Sequence, residues 1–508
     1  MPTIDLPALS TTSSVDSIEM RMEMRMESTS EKVHWGLLAA RVCKSRNLDV
    51  TAFHWGENAS EDSGGDNLIR WLCLHDGIDT TLIVRVPLLL MKGRSPENDA
   101  IICKRLTSEI DTMLYVGACT TIPVPHVVAH SIRFDNDVGY PYIVMSHIEG
   151  VKMSNVWEDM SDGGRHAVLS QVADITLQLW THRFGKAGVL VKRKGSTVIN
   201  QAAFMIKPEL AITMSHDLPD RYGLSSTAFS TAKAYWQSYA NASFRAIKKA
   251  CSLGSETRTF ALAERWFIRS LVPTLFDPAL DAYGFPLAHP DLNMDNIMID
   301  DIDSSPRITG ILDWELSGPT YTSSFAYYPS FLIDSPDEDL DAISQNAKDR
   351  IVYHRLLEEK ENSHVTPLPS HFPLLSKLLS SSHGIHLFRQ CVLTPSGALD
   401  YFYPILYNHI HHAEWNGSLE GLEPDDDDEA QRSELDAFHQ KLENSLLKNC
   451  MLRISRKREA RSRMQVEPED DPVPTVTNGQ RLFDNLESNL IIDLTSGDRL
   501  NEWLDTIL

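Results

Sequence analysis

The stretch FPLAHPDLNMDNIMIDDIDSSPRITGILDWELSGP, residues 285–319, constrains the fold of this 508-residue chain more than any other. IMID (297–300) and TGIL (309–312) are short apolar runs around a polar loop at 301–308. Runs of this length bounded by Asp, Ser and Pro read as the two strands of a hairpin. If they pair antiparallel, setting Ile297 against Leu312 also sets Asn296 against Asp313. Asp291 stands five residues before Asn296, on the loop leading in. Three oxygen-bearing side chains are therefore expected to converge at the open end of one hairpin. Hard oxygen donors with no cysteine nearby suit Mg²⁺ better than zinc, and so few protein oxygens leave room for phosphate and water. Two plainer readings stand beside this one. Asp and Asn also favour ordinary turns. His289 and Asp291, with Asp295 and Asp300, could hold a hydrolytic metal, but no matched second His cluster accompanies them.

The rest of the chain reads as one folded span, 33–415, between two polar ends. LIRWLCL (68–74) and TTLIVRVPL (80–88) are β-like runs separated by the turn signal at 75–79. A helical face follows with Ile102, Leu106, Ile110, Met113 and Leu114, and then IPVPHVVAH (122–130) and YPYIVM (140–145) read as further strands. Beyond Ser161 the spacing turns helical, with apolar residues at 168, 172, 175 and 179 and similar patterns around 228–250 and 256–276. Residues 1–32, with the run MRMEMRMES, are expected to be a mobile tail or at most a fraying helix. Residues 416–508 carry an acidic run (423–431), a basic run (453–463) and a Pro-rich acidic run, with apolar spacing regained only near the end. Such blocks are solvated as a rule. The basic run reads as a charged helix or as a nuclear address.

Composition narrows the partners. Asp and Glu number 70 against 47 Lys and Arg, a formal charge of -23, which repels phosphate backbones and excludes nucleic acid as the first partner to consider. Seven cysteines without a C-x-x-C pair argue against a disulfide framework and a zinc ribbon. No apolar run reaches the ~18 residues of a spanning helix, and the N-terminus lacks a secretory pattern, so the expectation is a cytoplasmic protein without a membrane partner. His409, His411 and His412 resemble a ligand run, but neighbours in sequence do not share a helical face. Trp180 and Trp236 are most simply core.

His289-Pro290-Asp291, Asn296 and Leu312-Asp313-Trp314-Glu315 together resemble the catalytic loop and metal strand of the aminoglycoside phosphotransferase-like kinases, whose pattern is close to H-G-D-x-x-x-x-N followed by I-D-W-E. With IPVPHVVAH and PYIVMSHIEGVKMSNVW in that order, the chain is most similar to fungal members. The resemblance implies an α+β, protein-kinase-like two-lobed fold. It has a small β-rich nucleotide-binding lobe at 33–146, a larger helical lobe with the catalytic loop at 147–415, and disordered termini.

The resemblance also implies roles. Asp291 is the catalytic aspartate, which accepts or orients the acceptor hydroxyl proton, and His289 braces the catalytic loop. Asn296 and Asp313 hold Mg²⁺ on the phosphates of ATP. Gly64 and Gly65 lie where the family covers those phosphates, though an ordinary hairpin turn accounts for two glycines equally well. Arg85 takes the position of the phosphate-binding lysine, a departure that still supplies a fork-shaped cation, and Glu109 is its partner. Lys92 is the alternative cation. Met145 to Ile148 form the hinge, where the backbone of Met145 and His147 meets the adenine edge. The acceptor is a small hydroxylated molecule. Glu315, Asp334, Asp337 and Glu338 would suit a cationic one. D-F-G is replaced by Asp313-Trp314-Glu315 and no A-P-E follows, which argues against a protein acceptor. A rival function is a catalytically weak or inactive kinase-like module that binds a nucleotide or a partner, with Pro290 in place of glycine as one mark of it.

Overall fold

The computed structural model describes residues 23–56, 67–88, 94–207, 229–249, 305–334, 340–363, 372–380 and 382–393, most of 265–300, and positions 302, 405, 406 and 409. Gly64, Gly65, Lys92, Asp337, Glu338, His411, His412 and the 416–508 tail lie outside the described residues. The chain forms two compact units. The first comprises Met1–Gln171, Val189–Leu210 and His289–Gly318, and the second Val172–Gly188, Ala211–Ala288 and Pro319–Leu508.

The first unit is built on five antiparallel strands: β1 (Phe53–Trp55), β2 (Asn67–Leu74), β3 (Thr81–Pro87), β4 (Val127–Ser131) and β5 (Tyr142–Ser146), in the order β1-β2-β3-β5-β4. Alternation in the sequence becomes alternation of faces. Leu68, Leu72 and Leu74, Leu82, Val84 and Val86, and Tyr142 and Val144 share one buried cluster with Leu38, Ala39, Val42 and Cys43 of α2 (Trp35–Ser45). Each such Leu or Val contributes roughly 1.5–3 kcal/mol by leaving water. The odd-numbered residues, among them Trp71, Ile83, Arg85 and Met145, fall on the opposite face. The turn expected at 75–79 is made, with Gly77 and Asp79 both at positive φ and Thr80 donating to Asp76.

One expectation for the N-terminus is corrected. Residues 23–30 form a helix, α1, and do not belong to an unpacked tail. Thr29 is buried, Met26 packs against the sheet cluster, and the Trp35 Nε1–H donates to Ser30 O at 3.0 Å.

α3 (Pro96–Cys119) starts with Ser95 as N-cap, whose hydroxyl accepts from the Asn98 N–H, and with Pro96 in its first turn. It buries Ile102, Leu106, Ile110 and Met113, as their spacing predicts. β8 (Val189–Lys192) and β9 (Phe204–Lys207) form a separate hairpin in this unit. β6 (Val151–Lys152) pairs with β11 (Ile297–Asp300), which pairs with β12 (Arg307–Ile311). Two glycines permit this junction. Gly150 has φ +120°, and a Cβ there would lie 2.5 Å from Ile299 O. A Cβ on Gly310 would lie 2.6 Å from Ile148.

The second unit is mainly helical among its described residues. The C-terminal half of α4 (Asp162–Thr181) buries Val172, Ile175, Leu179 and Trp180. The helix Leu340–Asn362 meets it through Tyr353, whose hydroxyl donates to Thr176 at 3.0 Å, and through the Lys360–Asp174 pair at 2.8 Å. β7 (Arg183–Phe184) pairs with β10 (Phe285–Ala288). Trp236 of α5 (Ala232–Lys249) packs with Phe276 and Phe388 in the largest aromatic core. Both tryptophans assigned to core are there. The described cysteines are unpaired with one another. Among the described residues no helix is long and apolar enough to cross a membrane.

Candidate active site

The hairpin that carries the site is present, but in a different register. Ile297 faces Ile311, not Leu312, and a bulge between Met298 and Ile299 shifts the pairing by a further residue. Asn296 therefore stands across from Leu312, whose N–H donates to Asn296 O at 2.8 Å. Asp313 is not its cross-strand partner. The chain leaves the strand there: Asp313 has φ +54° and Leu316 φ +61°, the left-handed region that costs an ordinary residue about 1–3 kcal/mol. Trp314 secures the turn. It is fully buried, its Nε1–H donates to Ile311 O at 2.9 Å, and its ring meets His289 edge-on at 4.8 Å.

The 289–296 loop is self-bracing. His289 Nε2 bonds Leu312 O at 2.8 Å. A carbonyl accepts only, so Nε2 carries the proton. Burial lowers the pKa of His289, which keeps the ring neutral and leaves Nδ1 bare. His289 thus links the loop to the strand end, as a brace does, and Asp291 and Asp313 both act on it electrostatically. Asp291 is exposed and held on both oxygens: Asn293 Nδ2 donates to Oδ1 at 2.9 Å and Asn296 Nδ2 to Oδ2 at 3.2 Å. Asn293 Oδ1 in turn accepts from the N–H groups of Asp295 and Asn296. Ser154 donates to Asp295 Oδ1 at 2.6 Å and ties the loop to the residues after β6.

Arg85, on the middle of β3, is buried among carboxylates. One of its terminal nitrogens, Nη1, bonds Glu109 of α3. The other, Nη2, lies 2.9 Å from Glu315 Oε2 and 3.3 Å from Asp313 Oδ1. Burial lowers the pKa of the guanidinium, but Glu109, Asp313 and Glu315 more than offset it, so Arg85 stays charged. Glu109 is pushed up to about 7, chiefly by burial, against the pull of Arg85. Arg105, one helical turn before Glu109, bonds Glu315 Oε1. Thr112, on the same stripe of α3, donates to Ser317 O at 3.3 Å. Arg105 and Thr112, at i and i+7 of α3, thereby grip the segment after Asp313, while Glu109 between them holds Arg85.

Asn296 fits a hard cation. Its amide nitrogen is spent on Asp291, by a further bond to Asp291 O at 2.9 Å, which leaves Oδ1 as an acceptor. Asp313 is 42% exposed on its side chain and supplies the second oxygen. Among the described residues no group of three His, Cys, Asp or Glu side chains is placed to hold a metal.

The hinge differs in detail from the expectation. Met145 is buried on β5, and His147 packs its ring on Trp71 at 4.8 Å. The N–H groups of Ser146 and His147 already donate to His126 O and Thr81 O.

Residues 103–322 match the Phosphotransferase enzyme family (APH). This segment is similar to that family. The match opens inside α3, so Glu109, the 289–296 loop and Asp313 fall within it and Arg85 precedes it. Two relatives are a subtelomeric hrmA-associated cluster protein of Aspergillus fumigatus, 32% identical over 87 residues (17% of this chain and 17% of that protein), and the mitochondrial altered inheritance of mitochondria protein 9 of Meyerozyma guilliermondii, 31% identical over 114 residues (22% and 18%). The chain thus spans less than a fifth of the length of either curated relative. Among solved structures it is similar to the streptomycin–ATP–APH(2″)-IIa ternary complex, at 12% identity and TM-score 0.40, covering 73% of this chain and 95% of that one. It is likewise similar to the GDP complex of aminoglycoside 2′-phosphotransferase-IIIa, at 12% identity and TM-score 0.37, with 73% and 97% covered.

Residues not singled out in the sequence also take part in the wiring of this site. Arg105 had a signal, since it stands at helical spacing before Glu109. Asn293 had none beyond its place in the loop. Glu315 and Asp334, expected as negative groups for a cationic acceptor, are already neutralised, Glu315 by Arg85 and Arg105 and Asp334 by Arg350 at 2.9 Å.

Proposed function

We propose that this chain transfers the γ-phosphate of Mg²⁺·ATP to the hydroxyl of a small molecule. The observation that carries the reading is the state of Asp291: an exposed carboxylate, clamped on both oxygens by amides, on a loop that also presents Asn296 and is bonded through His289 to Leu312, the neighbour of Asp313, which lies 3.3 Å from Arg85. Phosphoryl transfer needs positioning and charge neutralisation more than covalent help. Asp291 orients an acceptor hydroxyl and takes up its proton as the new oxygen–phosphorus bond forms and the bond between the γ-phosphorus and the bridging oxygen breaks, which releases ADP. Arg85 Nη2 supplies N–H donors to the phosphates. Asn296 Oδ1 and Asp313 would hold Mg²⁺, which when bound neutralises phosphate charge. Ile83, Trp71 and Met145, on the Arg85 face of the sheet, offer an apolar seat for the base. His289 donates no proton to substrate; it fixes the loop. The pairing of Glu315 and Asp334 with arginines removes the main support for a cationic acceptor and leaves a neutral hydroxylated one as the simpler reading.

A radiolabelled γ-phosphate transfer screen over sugars, amino alcohols and related hydroxylated metabolites tests the reading. The expected result is one or more acceptors whose labelling disappears in Asp291→Ala while nucleotide binding persists. Nucleotide binding with no acceptor labelled would favour a binding module instead.

A further inference from the structure

We infer that Arg105 is a positioning residue for the nucleotide: it is the reserve counter-ion that holds Glu315 when phosphate takes Arg85. The inference rests on the nucleotide-binding reading above.

Glu315 bridges two arginines, with Oε2 on Arg85 and Oε1 on Arg105. Its side chain is only 14% exposed, and that of Arg105 13%. Arg85 has one arm committed to Glu109, whose side chain is all but inaccessible. The Nη2 arm, shared by Glu315 and Asp313, is the one on the exposed side. An incoming phosphate can gain that arm only if these carboxylates give it up. Asp313 has an alternative in the metal. Among the described residues, the cations paired with Glu315 are Arg85 and Arg105. Leaving a carboxylate unpaired at this depth is costly. With Arg105 present, Glu315 passes from two counter-ions to one, never to none. α3 is what makes this possible, because Arg105 and Glu109 lie one turn apart, so that Glu109 holds Arg85 while Arg105 holds Glu315.

The proposal predicts an unusual rescue. In Arg105→Gln, phosphate binding strands Glu315, so affinity for Mg²⁺·ATP should fall about tenfold or more. In the double variant Arg105→Gln/Glu315→Gln no charge is stranded, and affinity should return close to that of the natural chain. Glu315→Gln alone frees the Nη2 arm and should bind more tightly. Isothermal titration of the full chain with ATP and Mg²⁺, alongside the melting temperature of each variant without nucleotide, reads all of this without an acceptor. A simply structural Arg105 would lower the melting temperature and show no rescue by Glu315→Gln, which overturns the proposal. So does tighter or equal binding by Arg105→Gln. If Arg105→Gln does not fold, Glu315→Gln decides, and weaker binding by it overturns the proposal. If the natural chain binds no nucleotide, the functional reading itself fails, and this inference with it.

Discussion

Asp291 and Arg85 carry opposite kinds of risk. Asp291 is exposed and braced from the side, so Asp291→Asn should fold normally and keep nucleotide binding while losing about 10²–10⁴ of transfer rate. Retained transfer in an acceptor assay would remove it from the chemistry. Arg85 is buried with three carboxylates around it, and Arg85→Met should cost about 3 kcal/mol or more in urea unfolding. That loss should depend on pH. Burial already raises Glu109 to about 7, and without Arg85 nothing comparable holds it down. A carboxyl raised in the folded state binds its proton there and releases it on unfolding, so stability is retained below about pH 4.5 and lost as pH rises through neutrality. Arg85→Met should therefore be closest to the natural chain near pH 5 and furthest near pH 8; a constant difference would contradict the burial account. The residues of this site were largely legible in the order H-x-D-x-x-x-x-N and D-W-E. Arg105 and Asn293 were not, since their roles depend on which side chain each meets, and that is set by packing.

At the scale of elements, the hairpin shows where pattern reading stops. Strand limits at 297–300 followed from apolar runs, but the register did not, because a bulge at Met298/Ile299 adds a residue that no local preference marks. The left-handed turn at Asp313 likewise comes from Trp314 seeking the interior. Gly150 and Gly310 are the permissive points of this layer. Gly150→Ala should lower the melting temperature more than Gly310→Ala, since its Cβ meets a backbone carbonyl at positive φ while that of Gly310 meets an isoleucine side chain. The reverse order would show that β6 and β11 are not held as closely as described. In the second unit, the helix His383–Leu393 stacks His386 on Tyr327 at 3.8 Å. Burial, with help from Arg389 and His383, lowers His386 to about 3 from an ordinary 6.5. The unfolded chain takes a proton below 6.5 that the folded chain refuses. Stability should therefore fall between pH 6.5 and pH 3, by up to ~1.4 kcal/mol per pH unit, and His386→Gln should flatten that slope. An unchanged acid slope would mean that His386 is not the group responsible.

For the molecule as a whole, the outline was readable in advance as a β-rich part followed by helices, because strand alternation and helical spacing are strong signals. The docking of α1 was not, since the methionine repeat carries little contrast between faces. The central claim is that Asp291, Asn296 and Asp313, with Arg85 behind them, form one site for a metal-bound nucleotide. Titration calorimetry of ATP into the full chain, with and without Mg²⁺, in the natural protein and in Asp313→Ala tests it most directly. The account predicts binding that requires Mg²⁺ and is lost in Asp313→Ala. Binding that ignores both the metal and the substitution, or no binding at all, would contradict it.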